Sequence, residues 1–189
     1  KKFDQNTIDA YDQQLISLGT PIYTERNKFL KLFIPIFKKY YTNISSGDDT
    51  VNIKYNSHLN EGSFSEIMSS SISKDRFVQY TTKGIHRDDL DFLIDGNKIK
   101  NFGSQGQQKS FLVSLKLAQF EYYKEKFGSS PIVLLDDIFD KLDQNRVTQI
   151  VNILEKNEFG QIFITDTHRE RVEEALKGSS NKEEIFNIE

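Results

Sequence analysis

Residues 131–143 read Pro131-Ile132-Val133-Leu134-Leu135-Asp136-Asp137-Ile138-Phe139-Asp140-Lys141-Leu142-Asp143, and this stretch decides the fold. The apolar run Ile132 to Leu135 is too short for a helix. Bounded by a proline and two acids, it reads as a strand buried on both faces of a parallel sheet. Ligands of open α/β sheets bind beyond the carboxyl ends of the strands, where Asp136 and Asp137 stand. A hard cation such as Mg²⁺ takes carboxylate oxygens and water there, and a nucleoside triphosphate supplies the remaining ligands. Taken alone, the same two acids also fit an ordinary strand end facing solvent.

Toward the C-terminus, Asp143 is placed to cap a helix whose apolar stripe is Val147, Ile150, Val151 and Leu154, with Gly160 to stop it. Ile162-Phe163-Ile164 repeats the buried-strand signature and runs into Thr165-Asp166-Thr167-His168. A last helix is predicted from His168 to Lys177, ended by Gly178, and an edge strand over Glu184 to Ile188. Toward the N-terminus, Ser104-Gln105-Gly106-Gln107 has capping-box spacing and opens a long helix with the stripe Phe111, Leu115, Ala118 and Tyr122, running to Gly128. Unpaired N–H groups at such a start favour an anion, although ordinary capped helices share the pattern. Leu90 to Ile94 and Ile99, joined by Asp95-Gly96-Asn97-Lys98, read as a hairpin. Strands alternating with helices give an α/β class with a parallel sheet.

The first 75 or so residues are mostly helical. One helix is predicted from Thr7 to Leu18, stopped by Gly19, and a second is capped by Thr20, starts on Pro21, kinks at Pro35 and ends near Ser45. Val51, Ile53 and Tyr55 alternate as a strand, and Phe64 to Ile72 reads as a short helix. The second helix carries Arg26, Lys28, Lys31, Lys38 and Lys39 against Glu25, a basic excess that fits either phosphate tracking or lysine stems solvating a packed helix.

The 189 residues are 37% hydrophobic and 12% aromatic with a net charge of −3, which excludes a disordered charged polymer and argues against a non-specific nucleic-acid coat. With no cysteine there is no disulfide framework, thiolate metal site or cysteine nucleophile, which fits the cytoplasm. No window approaches the roughly 18 apolar residues of a membrane span, and the chain begins on Lys1 instead of Met, pointing to a longer parent.

Three stretches together carry a family resemblance: Gly84-Ile85-His86-Arg87-Asp88-Asp89-Leu90, Ser104-Gln105-Gly106-Gln107-Gln108-Lys109, and Pro131 through Asp137 continuing to Leu142-Asp143. Their order and spacing resemble the C-terminal half of an ABC/SMC-type P-loop ATPase head, and more closely the RecF family of bacterial recombination mediators. The resemblance implies a helical arm over residues 1–78 and the C-terminal lobe of the head over 79–189. It implies that Asp136 is the Walker B acid serving Mg²⁺ through water. Asp137 then stands where the superfamily usually has a Glu that polarises the attacking water, and its side chain, one methylene shorter, implies slow hydrolysis. Ser104, Gln105, Gly106 and Gln107 would form the signature motif that contacts the γ-phosphate of ATP held by the opposite subunit, with Gln105 in place of the usual Gly. Asp143 would lie in the loop crossing that dimer interface. His168 occupies the place of the switch histidine, or is simply a polar residue starting a surface helix. Ile85 replaces a usual Pro, and Arg87 fits either a phosphate or DNA contact or a fold-bracing pair with Asp88 or Asp89.

The phosphate loop G-x-x-x-x-G-K-[ST] is absent from the sequence. The family carries it in the other half, so this chain alone is expected neither to bind ATP tightly nor to hydrolyse it. The implied partners are a second copy in an ATP-dependent homodimer, gapped or single-strand/duplex junction DNA, and a RecR-type mediator, in DNA repair, replication and the SOS response to damage. The competing readings are another SMC-like head and a non-catalytic interaction module that keeps the fold.

Overall fold

The computed structural model describes residues 4–45, 47, 49–156, 159–167, 169–177 and 184–186. The elements are α1 (Gln5–Ser45), β1 (Val51–Asn56), α2 (Phe64–Val78), β2 (Asp89–Ile94), β3 (Asn97–Lys98), α3 (Ile99–Phe102), α4 (Gln105–Phe127), β4 (Val133–Asp136), α5 (Gln144–Lys156), β5 (Ile162–Thr165) and α6 (Arg169–Leu176). The chain divides into two compact units, one built from Lys1–Ile34 and Asn52–Leu93, the other from Pro35–Val51 and Ile94–Glu189. Each unit uses two stretches of chain, so this partition differs from the motif-based division at 78/79.

The expected pair of N-terminal helices is one continuous helix of 41 residues. Thr20 does not cap it, because its hydroxyl donates to the Ile16 carbonyl at 2.8 Å from within the helix. Gly19 is no stop signal either. A Cβ there would lie 2.3 Å from Cε1 of Phe64, so the missing side chain lets the buried ring of α2 reach the α1 backbone. Pro21 and Pro35 each forgo one helical hydrogen bond, and packing of the apolar face outweighs that loss. In the first unit that packing is a cluster of Leu59, Phe64, Ile67 and Met68, joined by Ile16, Tyr23 and Ile85.

Helix α2 begins with a capping box between Ser63 and Glu66 and runs past the predicted Ile72 to Val78, where Gln79 turns left-handed. Asp75 holds the chain that follows: its Oδ1 accepts from the Thr82 amide at 2.9 Å and hydroxyl at 2.5 Å, and its Oδ2 from the Ser71 hydroxyl at 2.9 Å. Burial opposes ionisation of this carboxyl, but the Thr82 and Ser71 hydrogen bonds prevail and hold it below its ordinary value.

Strands β1, β2 and β3 form a sheet in that order, β2 and β3 being the predicted hairpin; Ile99 leaves it to start α3. In the second unit, Ser104 caps α4 with the expected capping box, and Gly128, at φ 69°, ends it. The buried residues of α4 are Ser110, Phe111, Val113, Ser114, Leu117, Ala118 and Phe120; of the predicted stripe Phe111 and Ala118 are among them, whereas Leu115 and Tyr122 are half-buried. The rings of Phe37 and Phe111 lie 4.6 Å apart by centroid, and Tyr41 meets Phe111 edge-on at 6.0 Å. In this unit Phe37, Tyr41, Leu117, Phe139, Val147 and Ile150 are almost wholly buried.

β4 and β5 pair in parallel with Val133 opposite Ile162 and Asp136 opposite Thr165, as the alternation of elements predicts. Burial on both faces is not observed. Leu135 is buried, whereas Leu134 is 73% exposed and its register partner Phe163 46% exposed, because these two strands are covered on only one side within the chain. The last predicted strand is not formed over Glu184 to Phe186, which have no regular structure, and its remaining residues lie outside the described ones.

Candidate nucleotide site

The α4 start, the carboxyl end of β4 and the loop leading to α5 come together in the second unit. At the α4 start the Ser104 Oγ accepts from the Gln107 amide at 3.2 Å, and the Gln107 Oε1 accepts from the Ser104 amide at 2.8 Å. The Gln107 Nε2 donates to both oxygens of Asp49, 3.2 Å away, and Asp49 also accepts from the Tyr41 hydroxyl at 3.1 Å. Burial first, and then the Asp49 carboxylate, push the Tyr41 hydroxyl well above its ordinary range, so it stays a donor. With its side-chain amide engaged at both ends, Gln107 has one orientation. Gln105 is exposed, and Gly106 is half-buried.

Gly106 has a local reason to be glycine. A Cβ there would lie 2.6 Å from Nη1 of Arg146 and 3.3 Å from the carbonyl oxygen of Lys141. The signature-like turn is therefore seated on the loop that Asp143 closes. Asp143 caps α5 as predicted, its Oδ1 accepting from the Arg146 amide at 2.9 Å, and its Oδ2 lies 3.4 Å from the Arg146 Nε.

Asp136 is exposed at the strand end, and its Oδ1 accepts from the Thr165 hydroxyl in the neighbouring strand. Asp137 is half-buried and has a left-handed backbone, φ 48°. Its amide donates to the Thr165 carbonyl at 2.9 Å, and its carbonyl accepts from the Lys109 ammonium at 2.7 Å. Among the described residues no cluster of three or more His, Cys, Asp or Glu is placed to hold a metal unaided. The expected Mg²⁺ would draw on one or two carboxylates and take water and phosphate oxygens for the rest of its shell, and of the two acids ending β4 Asp136 is the exposed one. His168 lies outside the described residues.

Sequence reading assigned no role to Lys109, Thr165, Arg146 or Asp49. Thr165 had a signal, since a parallel partner for β4 places the residue after Ile164 beside Asp136. Asp49 had none, being 58 positions from Gln107.

The Gly84–Asp89 motif lies in the first unit and is differently built. Asp88, with 4% of its side chain exposed, pairs with Arg26 at 2.8 Å, and its Oδ2 also accepts from the Tyr55 hydroxyl. The same guanidinium donates to the Ile85 carbonyl at 3.0 Å. The fold-bracing arginine is thus Arg26. Arg87 is exposed, 5.6 Å from the centroid of Tyr80, and His86 meets the Thr81 carbonyl at 3.1 Å. Of the basic residues on α1, Lys28 pairs with Glu25 at 2.7 Å and Lys39 with Glu121 at 3.2 Å. With Arg26 engaged as well, three of the five predicted basic residues take part in ion pairs within the fold.

No family model matches the chain. Among curated proteins it is 48% identical to the DNA replication and repair protein RecF of Flavobacterium johnsoniae over 98% of its length and 52% of the relative's. The RecF of Phocaeicola vulgatus is 40% identical over 100% of the chain and 51% of the relative. The chain therefore spans about half the length of the curated relatives it matches. A solved structure of the recombination mediator RecF-ATPrS in the RecFOR pathway superposes with a TM-score of 0.73 at 26% identity, covering 89% of this chain and 47% of that one. The head of an SMC protein bound to the winged-helix domain of ScpA gives 0.50 at 14% identity over 87% of this chain and 43% of that one, a likeness of fold alone. The resemblance read from the three motifs thus extends to sequence likeness along nearly the whole chain, and the fold is that of the matched part of the RecF structure and, less closely, of the SMC head. No helix among the described residues is long and apolar enough to cross a membrane.

Proposed function

We propose that this RecF homologue is the part of a cytoplasmic, ATP-gated recombination mediator that supplies the signature turn and the Walker B acids. The carrying observation is the seating of Gly106 against Lys141 and Arg146, which holds the anion-seeking start of α4 beside the loop following Asp136 and Asp137. Exposed Asp136 would hold Mg²⁺ through water, and a bound ion would supply neutralisation of the phosphate charge there. Asp137 orients the water that attacks the γ-phosphorus. Its short side chain and tied backbone suit a slow switch. Ser104 and the free amides of the α4 start bind the γ-phosphate of ATP on a second copy, so that nucleotide closes the dimer. DNA with gaps or single-strand/duplex junctions and a RecR-type mediator are the partners of the closed form. A non-catalytic module is the poorer reading, because both acids and the capped turn keep a geometry that packing alone does not require.

The test uses the full-length protein that contains this chain. Asp136→Asn is expected to lower ATP hydrolysis at least about a hundredfold. Ser104→Arg should abolish ATP-driven dimerisation and gapped-DNA binding while nucleotide still binds, and the isolated chain should show no turnover. Normal dimerisation of Ser104→Arg, or hydrolysis by the pure isolated chain, overturns the reading.

A further inference from the structure

Lys109 lies one turn into α4, five residues beyond Ser104, yet its ammonium is spent on the backbone carbonyl of Asp137 at 2.7 Å. That carbonyl belongs to a residue in the left-handed region, at φ 48°, where an L side chain rests only if its surroundings hold it. Two contacts do so: Lys109 on the carbonyl and Thr165 on the amide. Among the described residues nothing donates a hydrogen bond to the Asp137 carboxylate. The backbone is tied, and the oxygens are left for an outside group.

We infer that Lys109 is a positioning residue that couples the two nucleotide contacts of one subunit, passing engagement of the Ser104–Gln107 turn to the aim of the Asp137 carboxylate. This rests on the ATPase reading above. The coupling has a physical path. A Cβ on Gly106 would lie 2.6 Å from the Arg146 Nη1 and 3.3 Å from the Lys141 carbonyl oxygen, so the α4 start has little room to move toward the loop after β4 without displacing it. Lys109, on the same helical turn, grips that loop's first residue. An opposing phosphate that fixes the α4 start thereby also fixes the Lys109 ammonium, and with it the Asp137 backbone that Lys109 already holds. Hydrolysis then follows dimer closure instead of competing with it.

The experiment compares Lys109→Met and Lys109→Arg in the full-length protein, with Asp136→Asn alongside. Lys109→Met keeps the stem and removes the donor. It is expected to lower kcat about tenfold or more, since a displaced catalytic group is costly. KM for ATP and the ATP concentration that half-drives dimerisation should stay within about twofold. Lys109→Arg, which can still donate, should recover much of the lost kcat. The inference is overturned if Lys109→Met keeps kcat within about twofold of wild type, or if kcat, dimerisation and the thermal midpoint fall together without rescue by Arg, the mark of a merely structural residue. If Asp136→Asn hydrolyses ATP normally, the ATPase reading itself fails and takes the inference with it.

Discussion

Asp88 of the Gly84–Asp89 motif and the acids at the end of β4 look alike in sequence and are treated oppositely by the fold. Asp88 is shut away, its Oδ2 accepting from Arg26 and Tyr55 while its Oδ1 is buried with no hydrogen-bond partner among the described residues. Burial, and then that carboxylate, push the Tyr55 hydroxyl up. Asp136 is exposed, with one neighbouring hydroxyl on it, and the Asp137 backbone is held while its carboxylate is left open. Polar groups that satisfy one another internally brace a fold, because each removed partner leaves a buried orphan. On the proposed reading, the exposed Asp136 and the Asp137 carboxylate, which takes no hydrogen bond from the described residues, are the groups that nucleotide chemistry would use.

The contrast breaks most readily at its strongest point. Asp88→Ala should destabilise the protein by about 2 kcal/mol, a moderate value because half-exposed Arg26 can return to water. Asp136→Ala should stay within about 0.5 kcal/mol of wild type. Urea unfolding of both variants measures the difference, and equal losses would erase the distinction between bracing and ligating acids.

A smaller effect sharpens the account of the first unit. Ala is favoured over Gly inside a helix by about 1 kcal/mol, yet Gly19→Ala puts a Cβ 2.3 Å from a ring atom of buried Phe64. Overpacking costs about 1–3 kcal/mol, so a net loss near 1 kcal/mol is expected. In a Phe64→Leu background the clash is relieved and the same substitution should become stabilising. A double-mutant cycle by thermal unfolding reads that change of sign.

The smallest effect concerns pH. The Asp75 carboxyl is held below its ordinary value in the folded state, so its contribution is present above the unfolded value of about 3.9 and is lost as pH falls through the folded value. Asp75→Asn should therefore flatten the decline of stability between pH 5 and pH 2 without moving the slope near neutrality. Urea midpoints across that range check it, and an unchanged acid limb would remove Asp75 from the bracing set.

What could be read in the sequence was local. The Ser104–Gln107 capping box, the Gly128 stop, the Asp143 cap and the parallel pairing of the two apolar runs are written within a few residues, by the hydrogen-bond needs of helix ends and the lengths of apolar runs. The same locality misled at Gly19 and Thr20. A glycine and a capping residue signal a break only while nothing distant needs the helix to continue, and Phe64 does. Burial of β4 was overstated for a similar reason: an apolar run records that a strand is to be covered, and not by which part of which chain.

The caps at Ser104 and Asp143, the stop at Gly128 and the succession of β4, α5 and β5 were thus determined by the sequence alone, together with the motifs that point to nucleotide chemistry. Only the tertiary structure decided that Arg26, 62 residues away, is the partner of Asp88, that Asp49 orients Gln107, and that Lys109 grips Asp137. Those contacts join stretches with no mutual signature, because a side chain's distant partner depends on where whole elements pack and not on the residues beside it.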